Sequence, residues 1–243
     1  MKRTLLCLTA FALLGACGKK PTDTTPPGDP NGDTGAKIGD PAGGQTGVPQ
    51  EPDPPAIAQA REQYMLGNYD KAKELLEPLI ADLKTRQQLR ASGLSAGWLA
   101  LGSYQLGTDD PASAATQFEA AYKLHTDGPH ASLALVLYGQ AKVNMAFGGE
   151  EKDQIAHPEE LDSAASTFIK AQRLAASQPG SEMVAARAYE GIASVANYKK
   201  NFKEACTQIA EAAKIYKTKS AGQPLIERVN AIMEAAKCEK AAG

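Results

Sequence analysis

The sequence is short of the features that announce most chemistries. Aromatic residues make up only 6% of its 243 residues, with a single Trp. No apolar run approaches the roughly 20 residues that a membrane-spanning helix needs. Neither sign of charge prevails: 26 Lys and Arg stand against 28 Asp and Glu, for a net charge of -2. That balance lacks the basic footprint of a nucleic-acid or anionic-membrane binder. His occurs three times, as His125, His130 and His157, near predicted helix ends or in an insertion. With no H-E-x-x-H pair and no Cys/His cluster, zinc chemistry has no ligand set. Phosphate loops and dinucleotide fingerprints are missing too, which removes the common nucleotide cofactors. We therefore expect no cofactor, no metal and no small-molecule substrate.

What is present falls into three parts. Lys2 and Arg3 precede a short apolar stretch from Leu5 to Leu14, which ends in Leu14-Gly15-Ala16-Cys17. The stretch has the length of a signal-peptide core rather than of a membrane span. Residues 18–56 follow, rich in Pro, Gly, Asp and Thr and almost devoid of large aliphatic side chains, with three Lys against six acids. Such a segment cannot bury enough apolar surface to offset its chain entropy, so disorder with polyproline-like stretches is expected. Its root-mean-square reach would be on the order of 35 Å. Within it, Asp29-Pro30-Asn31-Gly32-Asp33-Thr34-Gly35 spaces oxygens somewhat as calcium loops do, but Gly falls one place late and no closing Glu follows. Solvated linker is the better reading. From residue 57 to 243, Ala, Leu, Glu, Lys and Gln dominate without strand-like alternation, which predicts an all-α domain.

The leader resembles the lipobox of bacterial lipoproteins: a branched apolar residue, two small residues, then Cys. By that resemblance residues 1–16 are a cleaved signal peptide, Cys17 is the acylated first residue, and 17–56 form a tether. Gly18 rather than Asp after the lipidated Cys favours the outer membrane, with the domain facing the periplasm.

The helical region is self-similar. Trp98, Leu101 and Gly102 are followed by Ala114, Phe118 and Ala121; Tyr189, Ile192 and Ala193 are followed at the same spacing by Ala205, Ile209 and Ala212. Gly67-Asn68-Tyr69-Asp70-Lys71-Ala72 marks a further inter-helix turn, with Ala60 before it and Leu76 and Leu79 after. Another copy pairs Tyr138-Gly139 with Ala164, Phe168 and Ala171. There an acidic stretch, Gly148–Glu160, reads as an inserted loop. This pattern resembles the tetratricopeptide repeat, W-x2-L-G followed by A-x3-F on two antiparallel helices. The Ala anchors are 42, 50 and 41 residues apart, longer than the standard 34. The resemblance implies about four repeats in a right-handed superhelical solenoid. A last helix from about Pro224 would serve as the solubilising cap, with Leu225, Val229, Ile232, Met233 and Ala236 on its apolar stripe and Glu227 and Arg228 off it.

Two Cys remain in the mature domain. If the last two helices form a hairpin turning near residues 220–222, Cys206 and Cys238 lie at similar height, and an oxidising compartment would join them. The alternatives are a buried thiol at 206 and a frayed, exposed one at 238. Gly93-Leu94-Ser95-Ala96-Gly97 matches the G-x-S-x-G elbow of hydrolases, but that motif needs a preceding strand and the residues before it look helical. Ser95 reads instead as a helix-start or packing residue, and the chain is not expected to be an enzyme.

In the tetratricopeptide family the first helices of successive repeats line a concave groove. Helical spacing from the anchors places there Arg61, Tyr64, Leu99, Ser103, Leu106, Val136, Gln140, Val143, Asn144, Arg187, Glu190, Ser194, Asn197 and Tyr198. Apolar and amide groups mix, which suits an extended peptide or a protein surface. The resemblance thus implies a membrane-anchored scaffold for a protein or peptide partner. It leaves open a structural subunit of an outer-membrane assembly, pilus or secretion machine, and, with least support, a cell-wall enzyme.

Overall fold

The computed structural model describes residues 55–81, 95–107, 110–128, 130–147 and 154–238. The leader, Cys17, the calcium-like stretch and nearly all of the tether lie outside these residues. Among the described residues there are nine α-helices and no strand: α1 Pro55–Leu66, α2 Tyr69–Ile80, α3 Ser95–Gly107, α4 Pro111–Leu124, α5 Ala131–Ala146, α6 Pro158–Ala176, α7 Glu182–Tyr198, α8 Phe202–Thr218 and α9 Gln223–Ala235. The described residues are all-α, as the composition predicts. Helix α1 begins at Pro55, two residues inside the expected tether. The expected loop Gly148–Glu160 ends early: Pro158, Glu159 and Glu160 already form the first turn of α6. Pro is favoured there because its missing N–H would be unpaired anyway, and acids there suit the helix dipole.

Each helix packs on the next, and the odd-numbered helices also touch one another: α1 on α3, α3 on α5, α5 on α7 and α7 on α9. The helix ends explain the reversals. In three hairpins the residue opening the second helix donates its backbone N–H five residues back: Asn68 to Gln63 (2.9 Å), Asp110 to Gln105 (3.1 Å) and Asn201 to Ala196 (2.8 Å). Such bonds close the last turn of the first helix over its otherwise unpaired carbonyls. Asp110 and Asn201 then cap the second helix through their side chains, onto Ser113 N–H and Glu204 N–H. The left-handed residue of the turn is Gly67 in the first hairpin (φ 85°) and Lys200 in the last of these three (φ 61°).

Small residues set how closely the helices approach. Ala114, Ala164, Ala205 and Ala212 are fully buried, as are Phe118, Ile209 and, to within 1%, Phe168. A Cβ on Gly102 would stand 2.6 Å from the Phe118 ring, and one on Gly139 would stand 2.7 Å from the Phe168 ring. Gly191 of α7 meets the same Phe168 ring from the other side, at 2.5 Å. Phe168 is thus gripped between α5 and α7, and that second glycine was not among the expected anchors. The bulky first-helix positions Trp98 and Tyr189 are only half-buried and pack at the edges of their clusters. Helix α5 is buried almost all round, including every residue from Ala131 to Leu137, as befits a central helix with no polar face to spare.

At the C-terminal end Leu225, Val229 and Ile232 of α9 are buried against α8 and α7, and Ala236 just past the helix is buried with Ala196 and Ala205. Cys206 and Cys238 form a disulfide, with their Cα atoms 5.4 Å apart. Arg228 departs from expectation. It points inward, its side chain only 14% exposed, to an ion pair with Glu190.

Candidate functional site

The odd-numbered helices present a common inner face, and the anchors' neighbours fall on it. Arg61, Ser103, Gln140 and Ser194, each following a small anchor residue of the sequence pattern (Ala60, Gly102, Gly139 and Ala193), lie on α1, α3, α5 and α7. One helical turn further on come Asn144 of α5 and Asn197 and Tyr198 of α7. None of the residues expected to line the groove is exposed. Tyr64, Leu99, Leu106, Val136, Val143, Arg187 and Glu190 are buried; Arg61, Ser103, Gln140, Asn144, Ser194, Asn197 and Tyr198 are half-buried.

The reason is that α1 turns across the inner face and closes it. The guanidinium of Arg187 donates to the Tyr64 hydroxyl (3.1 Å) and to the Tyr64 carbonyl (3.4 Å), and sits 4.8 Å from the centre of the Tyr64 ring. Arg61 reaches the ring of His130 at the start of α5 (3.0 Å). At the last residue of α1, the Leu66 carbonyl accepts the Gly222 N–H (3.2 Å) from the turn before α9. Two glycines make that contact possible. A Cβ on Gly222 would fall 2.4 Å from the Leu66 oxygen, and one on Gly67 would fall 2.9 Å from the Leu225 side chain. In the sequence Gly67 is legible only as a turn residue and Gly222 only as a break before the last helix. Their shared role has no short-range signal, because 155 residues separate them.

Behind Arg187 lies a buried ionic cluster. Glu190 is 1% exposed; it pairs with Arg228 and accepts the Tyr216 hydroxyl at 2.7 Å. Loss of water and the adjacent Glu190 carboxylate hold the Tyr216 phenol well above its ordinary range, despite the opposing Arg187 and Arg228 charges. The ion pair and the phenol hydrogen bond tie α7 to α9 and α8. Burial works against the charge of Lys142, yet its hydrogen bond to Glu160 (2.8 Å) and the nearby Tyr138 raise its pKa overall.

The half of the inner face away from the α1 closure keeps a polar lining. Gln140 donates to Asn144 (3.1 Å), and the hydroxyls of Ser103 and Ser194 donate to backbone carbonyls of their own helices (2.8 and 2.9 Å). The Tyr198 ring packs edge-on against Phe147, 4.8 Å between centres, which sets the end of the row. Amide and hydroxyl groups there can both donate and accept.

The remaining candidates do not assemble. Ser95 begins α3 and is 4% exposed, while Gly93 and Leu94 of the elbow-like motif lie outside the described residues. His125 and His157 are exposed at helix ends. Among the described residues no group of three or more His, Cys, Asp or Glu could hold a metal ion. None of the described helices is long and apolar enough to cross a membrane. No family model matches the chain. None of the curated proteins matches it either.

Proposed function

We propose that the chain is a lipid-anchored binding module of the bacterial envelope, with a tetratricopeptide-like repeat solenoid held on a Pro- and Gly-rich tether. Cys17 carries the lipid, residues 17–56 span the distance to the membrane, and the helical domain binds a protein or peptide in the periplasm. The observation that carries the reading is the half-buried row of amides and hydroxyls on adjacent odd-numbered helices, Gln140, Asn144, Ser194 and Asn197. Side chains of this kind hydrogen-bond to the backbone of an extended segment without requiring charge on it. They sit on helices rather than loops, so little ordering is needed when a partner arrives.

Two experiments test the two halves of the proposal. Cys17→Ser should abolish fatty-acid incorporation; retained label would remove the anchor. A photo-crosslinking residue at Asn144 or Asn197 in the full chain in cells should give one dominant protein adduct, which the same residue at exposed Thr116 of α4 does not give. The same adducts from all three positions would contradict binding on the inner face.

A further inference from the structure

Charge is near balance over the whole chain but not along it. Residues 199–238 hold seven Lys and one Arg against four Glu. Four of those lysines meet at one corner. Lys199 and Lys200 stand in the turn between α7 and α8, Lys203 lies in the first turn of α8, and Lys237 follows the end of α9. The disulfide brings Lys237 to the others, because Cys206 is one turn beyond Lys203 and Lys237 is the neighbour of Cys238. Phe202 sits among them. It opens α8 and is 42% exposed, more than any other large hydrophobic residue among those described. Cys206 follows it by four residues, so both project from the same side of α8, toward the corner.

The acids near the corner are Asp162, Glu204 and Glu234. Asp162 pairs with Lys199, and Glu204 accepts a hydrogen bond from Gln208 (2.6 Å). Lys200, Lys203 and Lys237 are exposed and make no ion pair among the described residues. Lys200 and Lys237 also hold left-handed backbone (φ 61° and 55°), a conformation that Gly adopts without strain. Long cations are thus kept at two turns where a smaller residue would fit the chain better.

We propose that this corner docks on an anionic phospholipid surface. Phe202 enters the headgroup boundary, and Lys200, Lys203 and Lys237 lay their carbon stems beside it and hold their ammonium groups against lipid phosphates. An acidic protein surface would satisfy the lysines but leave the ring without an apolar partner. The inference goes beyond the binding module proposed above and rests on neither the acylated Cys17 nor the inner face. A lipid on Cys17 would hold the chain near a membrane; the corner decides which side of the domain faces it.

The test is Phe202→p-benzoylphenylalanine in the full chain, with the same photoreactive group at exposed Thr116 of α4 for comparison. The purified chains are irradiated with vesicles of phosphatidylethanolamine containing about one third phosphatidylglycerol. Mass spectrometry should find a phospholipid adduct at position 202 and none at position 116. The adduct should fall by about tenfold or more on phosphatidylcholine vesicles, or when Lys200→Gln, Lys203→Gln and Lys237→Gln are combined. No lipid adduct at position 202, equal adducts at both positions, or an adduct indifferent to the lysines and to lipid charge would overturn the proposal. So would a protein adduct in place of a lipid adduct at position 202 in cells. The substituted lysines are exposed, so an unchanged melting temperature verifies that the variant is folded. A lipid on Cys17 would bring positions 202 and 116 to the vesicle alike, so the contrast between them holds whether or not the chain is acylated.

Discussion

At the scale of single residues, the structure turns on places where one atom more or less decides the fit. Phe168 is the clearest: its ring fills the space that glycines leave on both α5 and α7. Gly191→Ala is expected to cost about 1–3 kcal/mol, since a methyl there overlaps a ring that cannot move away. A urea titration would read this as a lower midpoint at unchanged slope. Glu190 is the electrostatic counterpart. Glu190→Gln leaves the Arg228 charge buried without its counter-ion, and breaking such a pair costs on the order of 3–5 kcal/mol. An unchanged melting temperature would contradict the assignment. Tyr216 adds a pH dependence. Its folded-state pKa lies above the ordinary 10.0, so the unfolded chain loses its phenolic proton first as pH rises. The stability from the neutral, hydrogen-bonded phenol is therefore whole below pH 10 and declines above it. Tyr216→Phe should flatten that decline in thermal melts between about pH 9 and pH 11.

Elements were legible in the sequence where a repeated spacing carried them, and illegible where contacts reach across the molecule. The pairs around Ala114 and Ala205, the hairpin turn at Gly67-Asn68 and the stripe of the last helix all follow from local rules. Arg228 was not readable in this way. On α9 it sits off the apolar stripe, so periodicity sends it to solvent, and only Glu190, 38 positions earlier, brings it inside. The same holds for Gly191, because nothing near it in the chain discloses that Phe168 lies on it. Two predictions belong to elements. Lys200 holds a left-handed conformation at the turn where the first hairpin uses Gly67. Lys200→Gly should therefore gain up to about 1 kcal/mol by relieving that strain, visible as a higher melting temperature, despite the added freedom of the unfolded chain. Reduction of Cys206–Cys238 should cost about 3 kcal/mol by releasing a long loop in the unfolded state. Peptide-resolved hydrogen exchange should place the loosening at the end of α9, and an even loosening of α5 would contradict that location.

Across the whole molecule, the departure from expectation lies in how the stack ends. Small residues recurring between paired helices predict an inner face; among the described residues the odd-numbered helices touch one another in order. Repeat spacing treats each copy through its neighbours alone, so it gives no warning that α1 would reach the turn before α9. Tyr64, Arg187 and Glu190, expected to await a partner, are engaged within the chain, and the proposed function leaves recognition to the amide row beyond them. The most direct measurement pairs Asn144→Arg with Asn197→Arg in the full chain, placing two long cations in that row. Partner capture from solubilised envelopes should be lost while the melting temperature stays within a few degrees of the unaltered protein. Capture of the same partner at undiminished yield by the doubly substituted chain would contradict the inner face as the binding face.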